Sequence, residues 1–453
     1  MALLSHPEHA VKSRSALFTS ALIAALGGFL FGFDTAVISG VEQRVQSLWE
    51  LGDLVHGLAL SAALWGTVLG SVIGSFPTDR FGRKPTLMGV GLLYFVSAVW
   101  SGLAWDEYSF MIARFLGGVG VGVSTVAAPL YIAEIAPPRL RGRLTGLYQF
   151  NIVLGILIAY LSNAALRPLG DDAWRWMLGV EGLPALLYTL ACFAIPESPR
   201  WLIAVRGDRD AAARVLERVG GAETEQEASD KLDAIAAAAE AESHSHNLWN
   251  AGLGKPILLA FLIALFNQLS GINAVLYFAP RIFELTGLGS QAAFLQSTGL
   301  GLVNLVFTLV GLALIDKLGR RTLLYVGSVG YIVSLGLCSW AFATENFAIV
   351  PPCLFAFIAA HAVGQGAVIW VFISEIFPNR HRAAGASLGS ATHWVAAAVL
   401  TLVFPKMVTL FAPSAVFGFF AAMMVLQLLW VWRMVPETKD VPLEELQREL
   451  GIA

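Results

Sequence analysis

Residues 16–39 read ALFTSALIAALGGFLFGFDTAVIS, 24 residues with one charge, Asp34. A helix rising about 1.5 Å per residue makes this run about 36 Å long, enough to cross a hydrocarbon core of about 30 Å. The run is too long for the h-region of a signal peptide, about 7–15 residues, and no A-x-A site follows it. It reads as a retained first transmembrane helix. Eleven further stretches have the same character: 57–77, 86–104, 109–133, 144–164, 176–196, 255–279, 293–315, 322–342, 350–374, 384–408 and 414–434. Backbone groups in lipid must bond within the chain, so only helices or closed barrels span a membrane. The runs are twice the length of barrel strands and do not alternate. The expected fold class is an all-α membrane protein with 12 transmembrane helices.

Composition agrees. Of 453 residues, 57% are apolar and 13% charged, and the mean hydropathy is +0.68. A soluble domain carries about 25% charged residues, so soluble, disordered and disulfide-scaffold classes are excluded. Net charge is −3, with no basic excess that would point to nucleic acid. Cys192, Cys338 and Cys353 lie in or beside apolar runs and read as small packing residues. Twenty-three of the 29 Lys and Arg fall on the side of both termini, five on the other, and Arg114 lies inside a span. The positive-inside rule then places both termini in the cytoplasm.

The chain divides at its one long polar stretch. A tail, 1–15, precedes a six-helix unit, 16–196; a linker, 197–254, leads to a second unit, 255–434, and a tail, 435–453. The linker holds AAARVLERV and KLDAIAAAAEAE, strong helix formers with polar faces, and is expected to form short amphipathic helices. His244 and His246 in it resemble a metal pair, but a solvated loop is the better reading. The two units echo each other. DRFGRK (79–84) returns as DKLGRR (316–321), offset 237; EIAPPRLRG (134–142) as EIFPNRHRA (375–383), offset 241. PESPRW (196–201) returns as PETKDV (436–441), offset 240, and GFLFGFD (28–34) more faintly as NQLSGIN (267–273), offset 239. Duplicated six-helix halves with a site between them are a transporter pattern.

GFLFGFDTAVISG, RFGRK, RFLGGVGVG, YIAEIAPPRLRG, PESPRWL, NQLSGINAVLYFAP, DKLGRR, SEIFPN and PETK resemble the signatures of the sugar porter family of the major facilitator superfamily, which contains the facilitative glucose transporters and the bacterial proton–xylose symporter. The resemblance runs from about Gly27 to Lys439. It implies the major facilitator fold, two pseudo-symmetric six-helix bundles, and sugar transport by alternating access without chemistry on the substrate.

Three ionisable residues, Asp34, Arg114 and Glu181, lie deep in spans, where a charge costs roughly 2.5–3.5 kcal/mol or more. A static clip between helices is one reading. The resemblance implies another, with Asp34 and Arg114 as the proton-coupling pair and Glu181 as the acid that modulates it. Facilitative relatives carry Asn at the Asp34 position, so symport is favoured. A sugar needs amides that both donate and accept, with aromatic walls. Interhelical bonding is the alternative role for such amides. By resemblance, Gln149, Asn267, Gln268, Asn273, Asn304, Trp370 and Trp394 match sugar-binding positions. Asn267 stands where the family has Gln, His393 where relatives carry Gln or Asn, and His361 where they carry Phe. Each His reads as either a packed residue or a pocket residue. GQGAVIW, before and including Trp370, lacks the family's proline.

Asp79, Arg80, Arg83, Glu134 and Arg141 recur as Asp316, Arg320, Glu375 and Arg382. Solvated helix ends explain such loops simply; the resemblance implies a cytoplasmic gate that latches the halves together when the outer side is open. The expected function is a proton-coupled hexose or pentose symporter, with a facilitative uniporter or a non-transporting sugar sensor as alternatives. No nucleophile or metal constellation points to an enzyme. No cofactor is expected beyond the proton gradient. The expected partners are a monosaccharide, the proton and the lipid bilayer, with no nucleic acid, and the protein is expected to work as a monomer in a bacterial cytoplasmic (inner) membrane.

Overall fold

The computed structural model describes residues 7–220, 225–242, 252–378 and 381–452. Its transmembrane helices are α1 (Pro7–Val37), α2 (Asp53–Ile73), α3 (Arg83–Gly102), α4 (Glu107–Ile135) and α5 (Pro138–Leu166). They continue with α6a (Ala173–Gly179), α6b (Gly182–Ala191), α7a (Gly254–Leu269), α7b (Ile272–Tyr277) and α7c (Ala279–Glu284). The last are α8 (Ser290–Leu318), α9 (Arg320–Ala343), α10a (Val350–Val363), α10b (Gln365–Ile376), α11 (Arg382–Leu410) and α12 (Pro413–Met434). Among the described residues eleven segments are long and apolar enough to cross a membrane, but one of them, Arg139–Ala191, has 53 residues. It turns back at Gly170, with φ of 83°, and so makes two crossings. The chain is therefore a multi-pass membrane protein with 12 crossings in two bundles. The first helix starts at Pro7, well before the apolar run begins.

Local chemistry sets several ends. The Asp106 carboxylate accepts from the Ser109 N–H and caps α4. Proline opens α5 and α12, where its missing N–H costs nothing. Outward faces carry large apolar side chains in the open, such as Val72, Leu183 and Trp432, which suits lipid.

The duplication is visible in the packing. In the first half α1 lies on α5, α2 on α4, and α3 on α6b; in the second α7a lies on α11, α8 on α10a, and α9 on α12. The halves meet along two seams, α2 against α11 and α5 against α8, which exchange with each other when the halves are exchanged. Lipid offers helices no hydrophobic drive to associate, so close backbone approach replaces it. At the α1–α5 crossing a Cβ on Gly32 would fall 1.8 Å from the Ile152 carbonyl oxygen.

Helices 6, 7 and 10 are interrupted, the last two at glycines. Gly271 sits between α7a and α7b at φ 84°, leaving Gln268 and Asn273 on either side of the interruption. Helix 10 breaks at Gly364 without the family's proline. Gly364 packs against Gly327 of α9, and the break is held by Gln365 Nε2 donating to Gln427 Oε1 at 2.5 Å and Gln427 Nε2 to Ser328 Oγ at 2.8 Å. A buried amide pair thus does what a proline does elsewhere.

The linker forms Pro199–Ala204, Arg209–Arg218 and Glu225–Glu242, joined by a small core of Ala212, Leu216 and Leu232. His244 and His246 lie outside the described residues. The three cysteines are free and buried.

Gly271 yields a prediction. Its positive φ disfavours any Cβ by about 1–2 kcal/mol, and Phe420 ring carbons stand 2.6–3.0 Å from where that Cβ would lie. Gly271→Ala should lower the thermal unfolding midpoint of the purified protein by several degrees. An unchanged midpoint would show that the break is not strained.

Candidate functional site

Two buried clusters lie near the middle of the bundle. The first belongs to the N-terminal half. Arg114 on α4 donates from one terminal nitrogen to Asp34 Oδ1 at 2.5 Å, and from the other to Asp34 Oδ2 and the Asp34 backbone carbonyl, both at 3.1 Å. Asp34 is 3% exposed and Arg114 1%. Glu181, between α6a and α6b, interacts electrostatically with both, and its Oε1 has no hydrogen-bond partner among the described residues. Arg114 Nε is likewise unpartnered. The pair also feels Tyr277, on α7b of the other half.

The second cluster centres on Gln268. Its Nε2 donates to Asn267 Oδ1 at 3.0 Å and faces His393 Nε2 at 3.2 Å; its Oε1 accepts from Asn273 Nδ2 at 2.9 Å. The His393 ring lies 4.8 Å from Trp394 and 5.1 Å from Trp370, centre to centre. Trp394 is buried with its Nε1–H unpartnered, a free donor. His361 is held through Nδ1 by the Tyr331 hydroxyl at 2.7 Å and lies close enough to His393 for their charges to interact. This gives clustered donors and acceptors with aromatic faces, which suits a polyol with apolar C–H faces.

The structure thus brings together Asn267, Gln268, Asn273, His393, Trp394 and Trp370. His361 stands at the edge. Asn304 is buried on α8, accepting weakly from Thr308 at 3.5 Å, and Gln149 is half-buried with no side-chain hydrogen bond among the described residues. Sequence reasoning missed Phe31, whose ring makes an edge contact with Trp394 at 5.4 Å across the halves. It also missed Tyr277 and Tyr331. Phe31 lies inside the quoted first run, three residues before Asp34, but an apolar ring in an apolar span carries no signal of its own.

The two clusters are one helical turn apart on two elements. On α1, Phe31 touches the aromatic cluster and Asp34 holds the ion pair. On α7b, Asn273 bonds Gln268, and Tyr277, one turn on, interacts electrostatically with the ion pair without bonding it. Residues three or four apart share a helix face, so a shift of either element moves both clusters.

The loop charges at the end carrying the termini pair inside each half. Arg83 binds Glu134 at 2.8 and 2.9 Å and Asp79 at 3.3 Å; Arg320 binds Glu375 at 2.7 and 3.0 Å and Asp316 at 3.3 Å. Glu197 accepts from the backbone N–H of Arg83, and Glu437 from that of Arg320, both at 2.9 Å. These two acids stand in the repeated PES and PET motifs, which flagged their positions but not their capping role. Arg80 lies over Phe76 and Phe81, Arg141 Nε donates to the Ala133 carbonyl, and Arg382 is exposed. Among the described residues none of these charges bonds across the halves, and Arg83 and Arg320 find acids of their own half instead.

The polar bonds between the halves cluster at the opposite end. Arg281 on α7c binds Glu42, in the short helix Glu42–Leu48, at 2.8 and 2.9 Å, and Gln46 at 2.6 Å. Gln43 donates to Glu284 at 2.8 Å, the Tyr160 hydroxyl to the Leu276 carbonyl at 2.7 Å, and Lys406 approaches Asp53 at 3.8 Å. The molecule is shut at the end away from its termini.

A family model described as sugar (and other) transporter matches residues 20–450. The arabinose-proton symporter of Bacillus subtilis (strain 168) is 37% identical over 435 residues, covering 94% of this chain and 93% of that protein. The D-xylose-proton symporter of Escherichia coli (strain K12) is 34% identical over 478 residues, covering 96% and 95%. The inward open conformation of the xylose transporter XylE from E. coli superposes with a TM-score of 0.85 at 31% identity, covering 96% of this chain and 99% of that one.

The enclosed ion pair gives a stability prediction. Removing one partner of a buried pair costs about 3–5 kcal/mol, because the other charge is left uncompensated. Arg114→Leu should unfold at a markedly lower temperature, and adding Asp34→Asn should recover part of the loss. Additive losses in the double variant would mean the two side chains do not act as a pair.

Proposed function

The chain belongs to the sugar transporter family, and from that premise we propose that it is a proton-coupled monosaccharide symporter, for a hexose or pentose, working by alternating access. The observation that carries this is the placement of Asp34 one turn from Phe31, and of Tyr277 one turn from Asn273. A proton site and a hydroxyl-binding site share two moving elements.

In this reading Asp34 takes the proton, Arg114 holds the ionised form, and Glu181 modulates the pair. Protonation of Asp34 weakens the bidentate hold of Arg114 and frees α1 to move against α4. Asn267, Gln268, Asn273, Asn304, Gln149 and His393 bond the sugar hydroxyls, while Trp370, Trp394 and Phe31 cover its apolar faces. Sugar draws the halves together through α1 and α7b, and the protonated, neutral Asp34 lets the loaded bundle rock. Arg83–Glu134 and Arg320–Glu375 hold each half rigid at the near end in the state seen here. Asp79, Arg80, Arg141, Asp316 and Arg382 join the gate when that end closes. We place both termini in the cytoplasm of a bacterial inner membrane, supported by the 23 Lys and Arg on their side. The structure then has its outer end shut and corresponds to an inward-facing state. The proton gradient supplies the energy, and a single chain contains every element of the scheme.

Asp34→Asn should abolish accumulation of sugar in proteoliposomes under an imposed proton gradient, while counterflow at equal sugar concentrations continues. Accumulation above equilibrium by that variant would remove Asp34 from coupling.

Gln268 bonds Asn267, Asn273 and His393 at once, and an unmatched buried partner costs about 1–3 kcal/mol. Gln268→Ala should weaken sugar affinity by roughly tenfold or more. Calorimetry with D-xylose, L-arabinose, D-glucose and D-galactose would check this, and unchanged affinity for the sugar that binds would place Gln268 outside the site.

A further inference from the structure

Glu42 and Arg281 are 239 residues apart, the same offset that relates GFLFGFD to NQLSGIN. They occupy equivalent positions in the two halves. Equivalent positions touch only on the axis that relates the halves, so this pair sits where the bundles must part for the outer end to open. One position carries an acid and its counterpart a base, and a duplicated, like-with-like contact has become an ion pair.

The pair is deeply enclosed. Glu42 is fully buried, while the Arg281 side chain keeps 24% of its surface open. The groups facing Glu42 come from several elements. On α7c are Arg281 and Glu284; on α2 is His56, whose Nε2 lies 3.0 Å from the Glu42 backbone oxygen and 3.4 Å from its Oε2. Asp53, a turn before His56, is engaged by Lys406 of α11. On the acid's own helix Gln43 bonds Glu284, and Gln46 bonds Arg281. The Phe278 ring covers His56 from the other half, 6.3 Å centre to centre.

We propose that Glu42 and Arg281 form a pH-sensitive outer lock, in which protonation of Glu42 favours the closed outer end. The proposal takes alternating access from the function above and adds a proton-sensing group outside the Asp34 site. Burial, which outweighs the Arg281 charge, pushes the Glu42 carboxyl in the closed arrangement up from its ordinary value of 4.5 to about 7. Once the halves part, the acid meets water and returns toward about 4.3. The closed state therefore binds the proton more tightly, and acidification through the window between about pH 7 and pH 4.5 favours closure. Above about pH 7 both states hold the carboxylate and the dependence ends. The sign runs against the simple picture of acid breaking a salt bridge, because the desolvation cost relieved exceeds the attraction lost. An acidic exterior would then close the outer gate behind a proton and sugar already bound.

The test needs neither sugar nor a gradient. Spin labels at Leu169→Cys and Gln291→Cys, on the outer ends of the two halves and in a background without Cys192, Cys338 and Cys353, report the outer opening by double electron–electron resonance. In a His56→Gln background the ratio of closed to open should rise on the order of a hundredfold from pH 8 to pH 5. Glu42→Gln, a neutral isostere, should be at least as closed at pH 8 as the parent at pH 5 and show no rise in closure on acidification. Arg281→Gln, which leaves a buried carboxylate without its cation, should open the outer end at pH 8. Glu284→Gln should keep the parent's dependence, and His56→Gln should enlarge it, because a buried imidazole that meets water when the halves part takes its proton more readily in the open state and so opposes Glu42. A His56→Gln protein without pH dependence, a Glu42→Gln protein that still closes on acidification, or an Arg281→Gln protein as closed as the parent at pH 8 overturns the lock. If Arg281→Gln does not fold, Glu42→Gln against the parent decides alone. A protein that passes here and still fails to accumulate sugar would refute the transport reading while leaving the lock standing.

Discussion

Two opposite charges in an oil-like interior are stable only as a pair, and the Asp34–Arg114 contact is the constraint on which the N-terminal half turns. Each charge alone would cost several kcal/mol to bury. Together they satisfy each other through three hydrogen bonds and tie α1 to α4. A tie of this kind is conditional, because one proton on Asp34 removes half of it. The unpartnered oxygen of Glu181 stands beside the pair as a further acceptor that no protein group satisfies. Such unfinished hydrogen bonding is uncommon in a stability device and suits a site whose protonation changes during work.

The cluster around Gln268 is built on the opposite principle. Asn267, Asn273 and His393 all bond Gln268, so these neutral groups are satisfied within the cluster, and among the described residues the Trp394 Nε1–H is left over. A hydroxyl-bearing ligand would exchange one set of neutral hydrogen bonds for another. The break at Gly271 makes this arrangement reachable, since a continuous helix would turn Gln268 and Asn273 about 500° apart instead of letting each side find the same centre. The break at Gly364 gives helix 10 a comparable freedom, held by Gln365, Gln427 and Ser328.

The two ends of the molecule differ in where their charges are spent. At the end with the termini, Arg83 and Arg320 close onto acids of their own half, and backbone capping by Glu197 and Glu437 holds them there. At the other end Arg281 reaches across to Glu42. Alternating access requires such an asymmetry, because the halves are rigid and related by repeat. Bonds between them at both ends would lock the bundle, and bonds at neither would let it fall open. The matched seams α2–α11 and α5–α8 act as the rocker on which one end opens while the other shuts.

The number of crossings and the duplication were legible in the sequence, because apolar length and repeated motifs are local properties that the bilayer and the fold read residue by residue. So were Asp34, Arg114 and Glu181, since a charge in a 20-residue apolar run has no cheap explanation. The amides at 267, 268 and 273 stood out for the same reason. What tertiary structure alone decided is which of these meet. Gln149 and Asn304 carried the same signal as Gln268, yet only Gln268 became the hub, because the broken seventh helix brings it to His393 on α11. Phe31 and Tyr277 were silent, being apolar or aromatic residues in apolar runs whose role comes from the cluster they touch. Arg83 and Arg320 were visible as charges, but whether they pair within a half or across it depends on the distance between bundles. Glu42 and Arg281 stood in short outer connections with no motif around them. Only the fold, by setting equivalent positions of a duplicated chain on one axis, brought that acid and that base within 2.8 Å.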